Sequence, residues 1–159
     1  MTIDITEDSS HIRSFLDDHS VGVLATANKA AIPYASTIYF VVEDDLSISF
    51  LTKEDTAKCR NMRENPNVAL AVTDAQSQST VQIAGTVQEI KDASRIQQLH
   101  DKVVTITVST SSGATPPVMK LDAGELVAFS IQPSFVRLAR FLQTESSMQI
   151  GSLFETITR

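Results

Sequence analysis

Four basic side chains, Lys53, Lys58, Arg60 and Arg63, crowd into one segment of the chain, FLTKEDTAKCRNMRENPNVAL (50–70). Thr52 and Thr56 are interleaved with them. The run FLT ends in strand-like residues, and a helix is expected over 55–64 with Asp55 as its N-cap. The free N–H groups and the positive dipole end of such a helix favour an anion. Lys53 and Lys58 add full charges beside the hydroxyl donors Thr52 and Thr56, a set suited to a phosphate monoester. The same residues also fit a solvated amphipathic helix whose cations pair with Asp55, Glu64 or acids elsewhere. The residues alone leave both readings open. Arg60 and Arg63 lie further along, and Arg63 belongs on the solvated face.

Other chemistry finds little support. His11, His19 and His100 are scattered with no metal-ligand spacing, and Cys59 has no CxxC partner, so no metal site is expected. No G-x-S-x-G elbow is present, and Cys59 reads as a small buried thiol rather than a nucleophile. Asp17-Asp18 and Asp44-Asp45 read as a helix end and a turn. The stretch SSGATPP lacks the lysine of a P-loop, and Met62 and Met119 read as packing residues. Tyr34, Tyr39 and His100 could donate a proton by chemistry, yet each reads as structural. Catalytic residues are therefore unassigned.

A chain of 159 residues, 42% hydrophobic and 20% charged, is expected to form one globular domain with a core that needs neither disulfide nor metal. The single cysteine and an acidic, polar N-terminus without a secretory pattern point to the cytoplasm. No apolar run is long enough to span a bilayer. Residues 53–64 hold four cations against three carboxylates, so the rest of this −6 chain carries −7. That balance argues against nucleic acid and membrane surfaces, which are polyanions. The basic segment is a local exception.

The elements that must position it read as follows. Residues 6–18 form a helix with Ile12, Phe15 and Leu16 on one stripe, capped by Thr6 or Asp8. Strands follow at 21–27, 34–42 and 46–51, making a meander. After the basic helix, Asn65-Pro66 leads into strands at 68–73 and 80–90, where Gly85 marks a bulge or a close backbone approach. Residues 92–104 are helical, with Ile96, Leu99 and Val103 on one face. The Ser/Thr/Gly/Pro-rich 105–118 is expected to be a long loop, and by its length a lid over a bound ligand. Strands at 125–131 and 135–141 are separated by Gln132-Pro133-Ser134. About seven strands without regular βα alternation make the fold class mainly β, a closed or split antiparallel β-barrel with flanking helices.

Taken in order, FLT (50–52), TAKCRNMRENPNVAL (56–70), the preceding hairpin IPYASTIYFVVEDDLSISF (32–50), TVQIAGTVQEI (80–90) and IQPSFVRLARF (131–141) resemble the pyridoxamine 5'-phosphate oxidase-like family of FMN-binding split barrels. The resemblance spans about residues 10–142. By its own residues the tail, 143–159, offers Met148, Ile150, Leu153, Phe154 and Ile157 as an apolar face for docking on a partner subunit, and the resemblance implies an FMN-binding split-barrel domain over 1–142. It further implies a homodimer with flavin at the subunit interface and an oxidoreductase of unknown substrate. Carried over by position, Thr52, Lys53, Thr56 and Lys58 hold the FMN phosphate. Ser36, Thr37, Ile38 and Leu51 line the ribityl chain and ring, and Thr80 and Gln82 reach the flavin from the partner.

The chain departs from the oxidase itself in two places. Ala35-Ser36 stand where the oxidase has an arginine. The oxidase's Arg-rich, Trp-containing C-terminal segment is replaced by QTESSMQIGSLFETITR, whose one basic residue is Arg159, in a chain with no tryptophan. These departures point to a different flavin reaction. The deazaflavin F420 in place of FMN, or a non-enzymatic flavin or haem carrier or sensor, are the other readings; the single compact cationic cluster favours FMN.

Overall fold

The computed structural model describes residues 7–112, 115–141 and 154–158. Helix α1 (Glu7–Asp18) leads into the meander β1 (Val21–Ala27), β2 (Pro33–Val42) and β3 (Ile48–Lys53). Helix α2 (Ala57–Glu64) connects to β4 (Asn67–Asp74) and β5 (Ser79–Ile90). Then come α3 (Ala93–Thr110), the single turn α4 (Pro117–Lys120), the long strand β6 (Leu126–Arg140) and β7 (Phe154–Thr158). The strands lie in the order β3-β2-β1-β4-β5-β6-β7, all antiparallel, and β3 also pairs with β6. Six strands therefore close into a barrel, which removes their hydrogen-bonding edges. At the closure Phe50 pairs in register with Phe129, and their rings stack 6.0 Å apart.

Alternation decides the core. Ile38, Phe40 and Val42 of β2, Ile48 and Phe50 of β3, and Leu70 and Val72 of β4 turn inward, joined by Val81, Ile83, Val136 and Leu138. Ile12 and Leu16 of α1 and Cys59 and Met62 of α2 complete the same core. A second cluster lies outside the barrel, where Leu99 and Val103 of α3 pack on Leu51 and Ala128, flanked by Tyr39 and Val41.

Three expectations are corrected. Residues 105–118 are not one long loop, because α3 continues to Thr110 and Pro117 opens α4. The hydroxyls of Thr105, Thr107 and Thr110 donate to the carbonyls of Asp101, Val103 and Ile106, so a run of poor helix formers satisfies itself on the helix. Burial of Leu99, Val103 and Thr107 against the barrel then outweighs propensity.

The strands at 125–131 and 135–141 are one strand. Pro133 does not break it because β3 pairs only as far as Ile131 and β7 begins at Phe135, so the missing N–H falls in the gap between them. On its other side β6 bulges against Ala84 and Gly85. A Cβ on Gly85 would sit 2.1 Å from the Gln132 carbonyl oxygen, so the close approach expected there is real.

The N-cap of α2 is Thr56, not Asp55, whose N–H is taken by the Ala123 carbonyl as the β3–β6 ladder runs on past Lys53. In the tail, β7 pairs with β6 of its own barrel and Ile157 packs against the core; Met148, Ile150 and Leu153 lie outside the described residues.

Candidate functional site

The turn from β3 into α2 is tied down from three sides. The N–H groups of Glu54 and Asp55 donate to the carbonyls of Glu125 and Ala123. The Thr56 hydroxyl donates to the Lys53 carbonyl at 2.7 Å and accepts from the Cys59 N–H. Asn61, buried in α2, donates to the Thr26 hydroxyl on β1 at 3.1 Å. Thr52 is buried and its hydroxyl lies 3.1 Å from that of Thr56. Because the single Thr56 proton goes to Lys53, Thr52 is the donor in this pair. Both hydroxyl protons are thus engaged within the turn, whereas the N–H groups of Ala57 and Lys58 have no intrahelical acceptor there.

The four cations separate clearly. Arg63 reaches Glu89 at 2.9 Å and Glu54 at 3.5 Å on the solvent side, and those contacts raise its pKa. The Arg60 guanidinium donates to the Asp55 carbonyl at 2.7 Å. Lys53 donates to the carbonyl of Gly124 at 3.2 Å. Gly124 adopts φ +79°, and a Cβ there would lie 2.7 Å from a carboxylate oxygen of Asp55, so only glycine brings this loop so close. Lys58 alone of the four has no ion pair or hydrogen bond among the described residues. Burial pulls its pKa below the ordinary 10.5, partly countered by Cys59. The neighbouring Cys59 thiol, fully buried, is pushed up, again chiefly by burial.

Lys58 opens onto a cleft of about 120 Å³ between β2, β3 and α3, whose lining includes Thr37, Tyr39, Leu51 and Val103. Of the residues expected to act together, Thr37, Ile38, Leu51 and Lys58 border this cleft, and Thr52 and Thr56 bond to each other at the start of α2. Ser36 sits opposite Leu24 on the inward face of β2. The Lys53 ammonium is turned to Gly124. Thr80 and Gln82 lie on β5, three strands from β2, and do not reach the cleft within one chain. Gln82 shares its outer row with Ala71, Val23 and Thr37. Among the proton-donor candidates, Tyr39 lines the cleft, Tyr34 stands exposed at the start of β2, and His100 contacts Asp101.

The cleft also has walls that the sequence reading passed over: Pro117, Val118 and Leu121. Their signal was present, since Pro-Pro-Val puts proline at the first position of a helical turn, where it is favoured. Val103 was placed on the correct helix face without a role.

Among the described residues no group of three metal-ligating side chains comes together, and no helix is long and apolar enough to cross a membrane. The cleft sets one cation, Lys58, beside apolar walls, a combination suited to an anionic group carried on an apolar body.

Residues 9–129 match the family model described as pyridoxamine 5'-phosphate oxidase. No curated protein matches the chain in sequence. Among solved structures, a pyridoxamine 5'-phosphate oxidase-related, FMN-binding protein of Nostoc punctiforme superposes with a TM-score of 0.62 at 15% identity, covering 99% of both chains. PhzG of Burkholderia lata, in complex with tetrahydrophenazine-1-carboxylic acid, gives 0.64 at 14% identity over 95% of this chain and 89% of its own. A haem-binding protein of Mycobacterium smegmatis gives 0.68 at 14% identity, and its match to 96% of this chain spans 58% of its own length. With the barrel, its helices and a family match over most of its length, the chain belongs to the pyridoxamine 5'-phosphate oxidase-like family of split-barrel proteins.

Proposed function

We propose that this protein binds FMN in the Lys58 cleft and acts as a flavin-dependent oxidoreductase. The observation that carries the reading is Lys58, a cation drawn partly out of water at the start of α2 with no carboxylate to balance it. Burying an uncompensated charge is unfavourable, and an incoming phosphate of about −1.5 to −2 charge relieves it. Lys58 and the N–H groups of Ala57 and Lys58 hold the phosphate, with the Thr52 and Thr56 hydroxyls joining as they turn from Thr56 and the Lys53 carbonyl, and Lys53 as it leaves Gly124. Thr37, Leu51 and Val103 line the path of the ribityl chain and ring and exclude water, and Ser36 and Ile38 support β2 beneath them. When bound, the flavin supplies hydride or electron transfer, while the protein supplies position and a dry wall.

The second subunit is part of the proposal. Val23 is 46% exposed, and with Ala69, Ala71 and Gln82 it forms an outer sheet face of small side chains continuous with Thr37. A homodimer packed on this face brings Thr80 and Gln82 of one copy toward the cleft of the other. Haem, which the Mycobacterium smegmatis protein binds, is less well supported. His19 is held by Phe15 and Asp74, and His100 by Asp101, both away from the cleft. F420 would need a longer basic groove than the one free lysine provides.

The test is the absorbance spectrum of the purified protein with and without added FMN. Near-ultraviolet and blue flavin bands that survive gel filtration support the proposal. A Soret band, or no retention of FMN at micromolar concentration, overturns it. NAD(P)H oxidation by the loaded protein then tests for turnover.

A further inference from the structure

A second cleft, of about 150 Å³, opens on the other side of α3 and is lined by Glu43, Ser49, Ile90, Arg95, Gln98, Leu99 and Lys102. Arg95, Gln98, Leu99 and Lys102 follow the i, i+3, i+4, i+7 spacing of one helix face. Leu99 is buried on the barrel, so the three polar side chains stand around it at the mouth. Neither Arg95 nor Lys102 forms an ion pair among the described residues. On the floor, Ser49 faces outward from β3, since its neighbours Ile48 and Phe50 face the core. Its hydroxyl is buried and is the one buried side-chain oxygen or nitrogen without a hydrogen-bond partner among the described residues. An orphan of this kind in an otherwise satisfied structure calls for a partner.

We propose that this cleft is a binding site for a small oxyanion that carries its own hydroxyl, of the phosphate or hydroxycarboxylate class. Two cations and the Gln98 amide supply donors to the anionic oxygens. The Ser49 hydroxyl supplies a further donor at the floor. Glu43 supplies an acceptor, which a bare anion would oppose and a ligand hydroxyl satisfies; monohydrogen phosphate has such a hydroxyl. The Ser49 oxygen is buried, so contact with a ligand requires side chains of the lining to move. The site is separate from the Lys58 cleft, although α3 forms a wall of each.

The test is an amide-resolved NMR titration of the full chain carrying Lys58→Gln, with inorganic phosphate in one arm and lactate in the other. The background substitution weakens phosphate binding at α2, and shifts at Ala57 and at position 58 report any that remains. Saturable shifts at Arg95, Gln98 and Lys102 are expected in at least one arm, and the tighter arm identifies the ligand class. Arg95→Gln with Lys102→Gln should weaken binding about tenfold or more. Ser49→Ala should weaken binding severalfold while raising Tm, because it removes an unsatisfied hydroxyl. Absence of saturation at millimolar ligand in both arms overturns the proposal. So does binding unaltered by Ser49→Ala, which would make the site a surface cation patch, or a fall in Tm in that variant, which would give Ser49 a structural partner.

Discussion

Helix α3 separates two clefts of similar size and opposite construction. On the Val103 side the walls are Leu51, Tyr39, Val118 and Leu121, with one partly buried cation, Lys58. On the Leu99 side a buried hydroxyl lies under two exposed cations and a carboxylate. A charge drawn out of water responds strongly to the arrival of a counter-charge, whereas exposed charges are screened and act mainly by geometry. On the proposed reading the first cleft gains affinity for one phosphate attached to an apolar body, and the second recognises a small polar ligand by its hydrogen-bonding pattern.

The largest effect is expected from removing what the clefts share. Leu99→Ala leaves a void between α3 and the barrel and should cost about 2–5 kcal/mol of stability, measured by denaturant unfolding. If stability were unchanged, α3 would not be the common wall. Lys58→Ala should weaken FMN binding by about 1.5–3 kcal/mol, whereas Arg95→Gln should leave it unaltered; fluorescence titration of FMN reads both. Equal losses in the two variants would break the division between the clefts. Thr56→Ala removes the N-cap of α2 and should cost about 1 kcal/mol of stability in the ligand-free protein, with a further loss of FMN affinity.

The smallest effect is the pH dependence of Lys58. Its folded pKa lies below the ordinary 10.5, so between the two values the unfolded chain binds more protons than the folded one. Stability of the ligand-free protein should thus rise with pH as that window is crossed toward 10.5, and this part of the slope should vanish in Lys58→Met. Bound phosphate reverses the sense. It favours the charged lysine, so FMN affinity should fall as pH rises through the same range. Unfolding midpoints and FMN titrations from neutral to alkaline pH check both directions.

Much of this was readable from local pattern. Alternation in β3 placed Phe50 inward and Leu51 outward, and the basic stretch after it marked the start of α2. Gly85 was readable as a close approach because only glycine tolerates a carbonyl at that distance. The errors fell where a tertiary contact outweighed a local rule. Pro133 normally ends a strand, yet here it meets the gap between β3 and β7. The Thr-rich end of α3 lacks helix formers, yet Val103 and Thr107 are buried against the barrel. Asp55 is a good cap by type, but continuation of the β3–β6 ladder moved the cap to Thr56.

The site divides in the same way. Residue types and spacing were enough to find the cationic segment, its hydroxyls and a family whose fold the structure has, because these depend on neighbours along the chain. They set Arg63 on the solvated face and Lys53 and Lys58 at the helix start, but could not separate Lys53 from Lys58. Glu89 and Gly124, 26 and 71 residues away, claim Arg63 and Lys53 only once the barrel has closed. Nor could they reveal that Ser49 would be buried without a partner, since a hydroxyl is orphaned by what packs over it. Partnering and desolvation are set by distant segments, and tertiary structure alone brings those together.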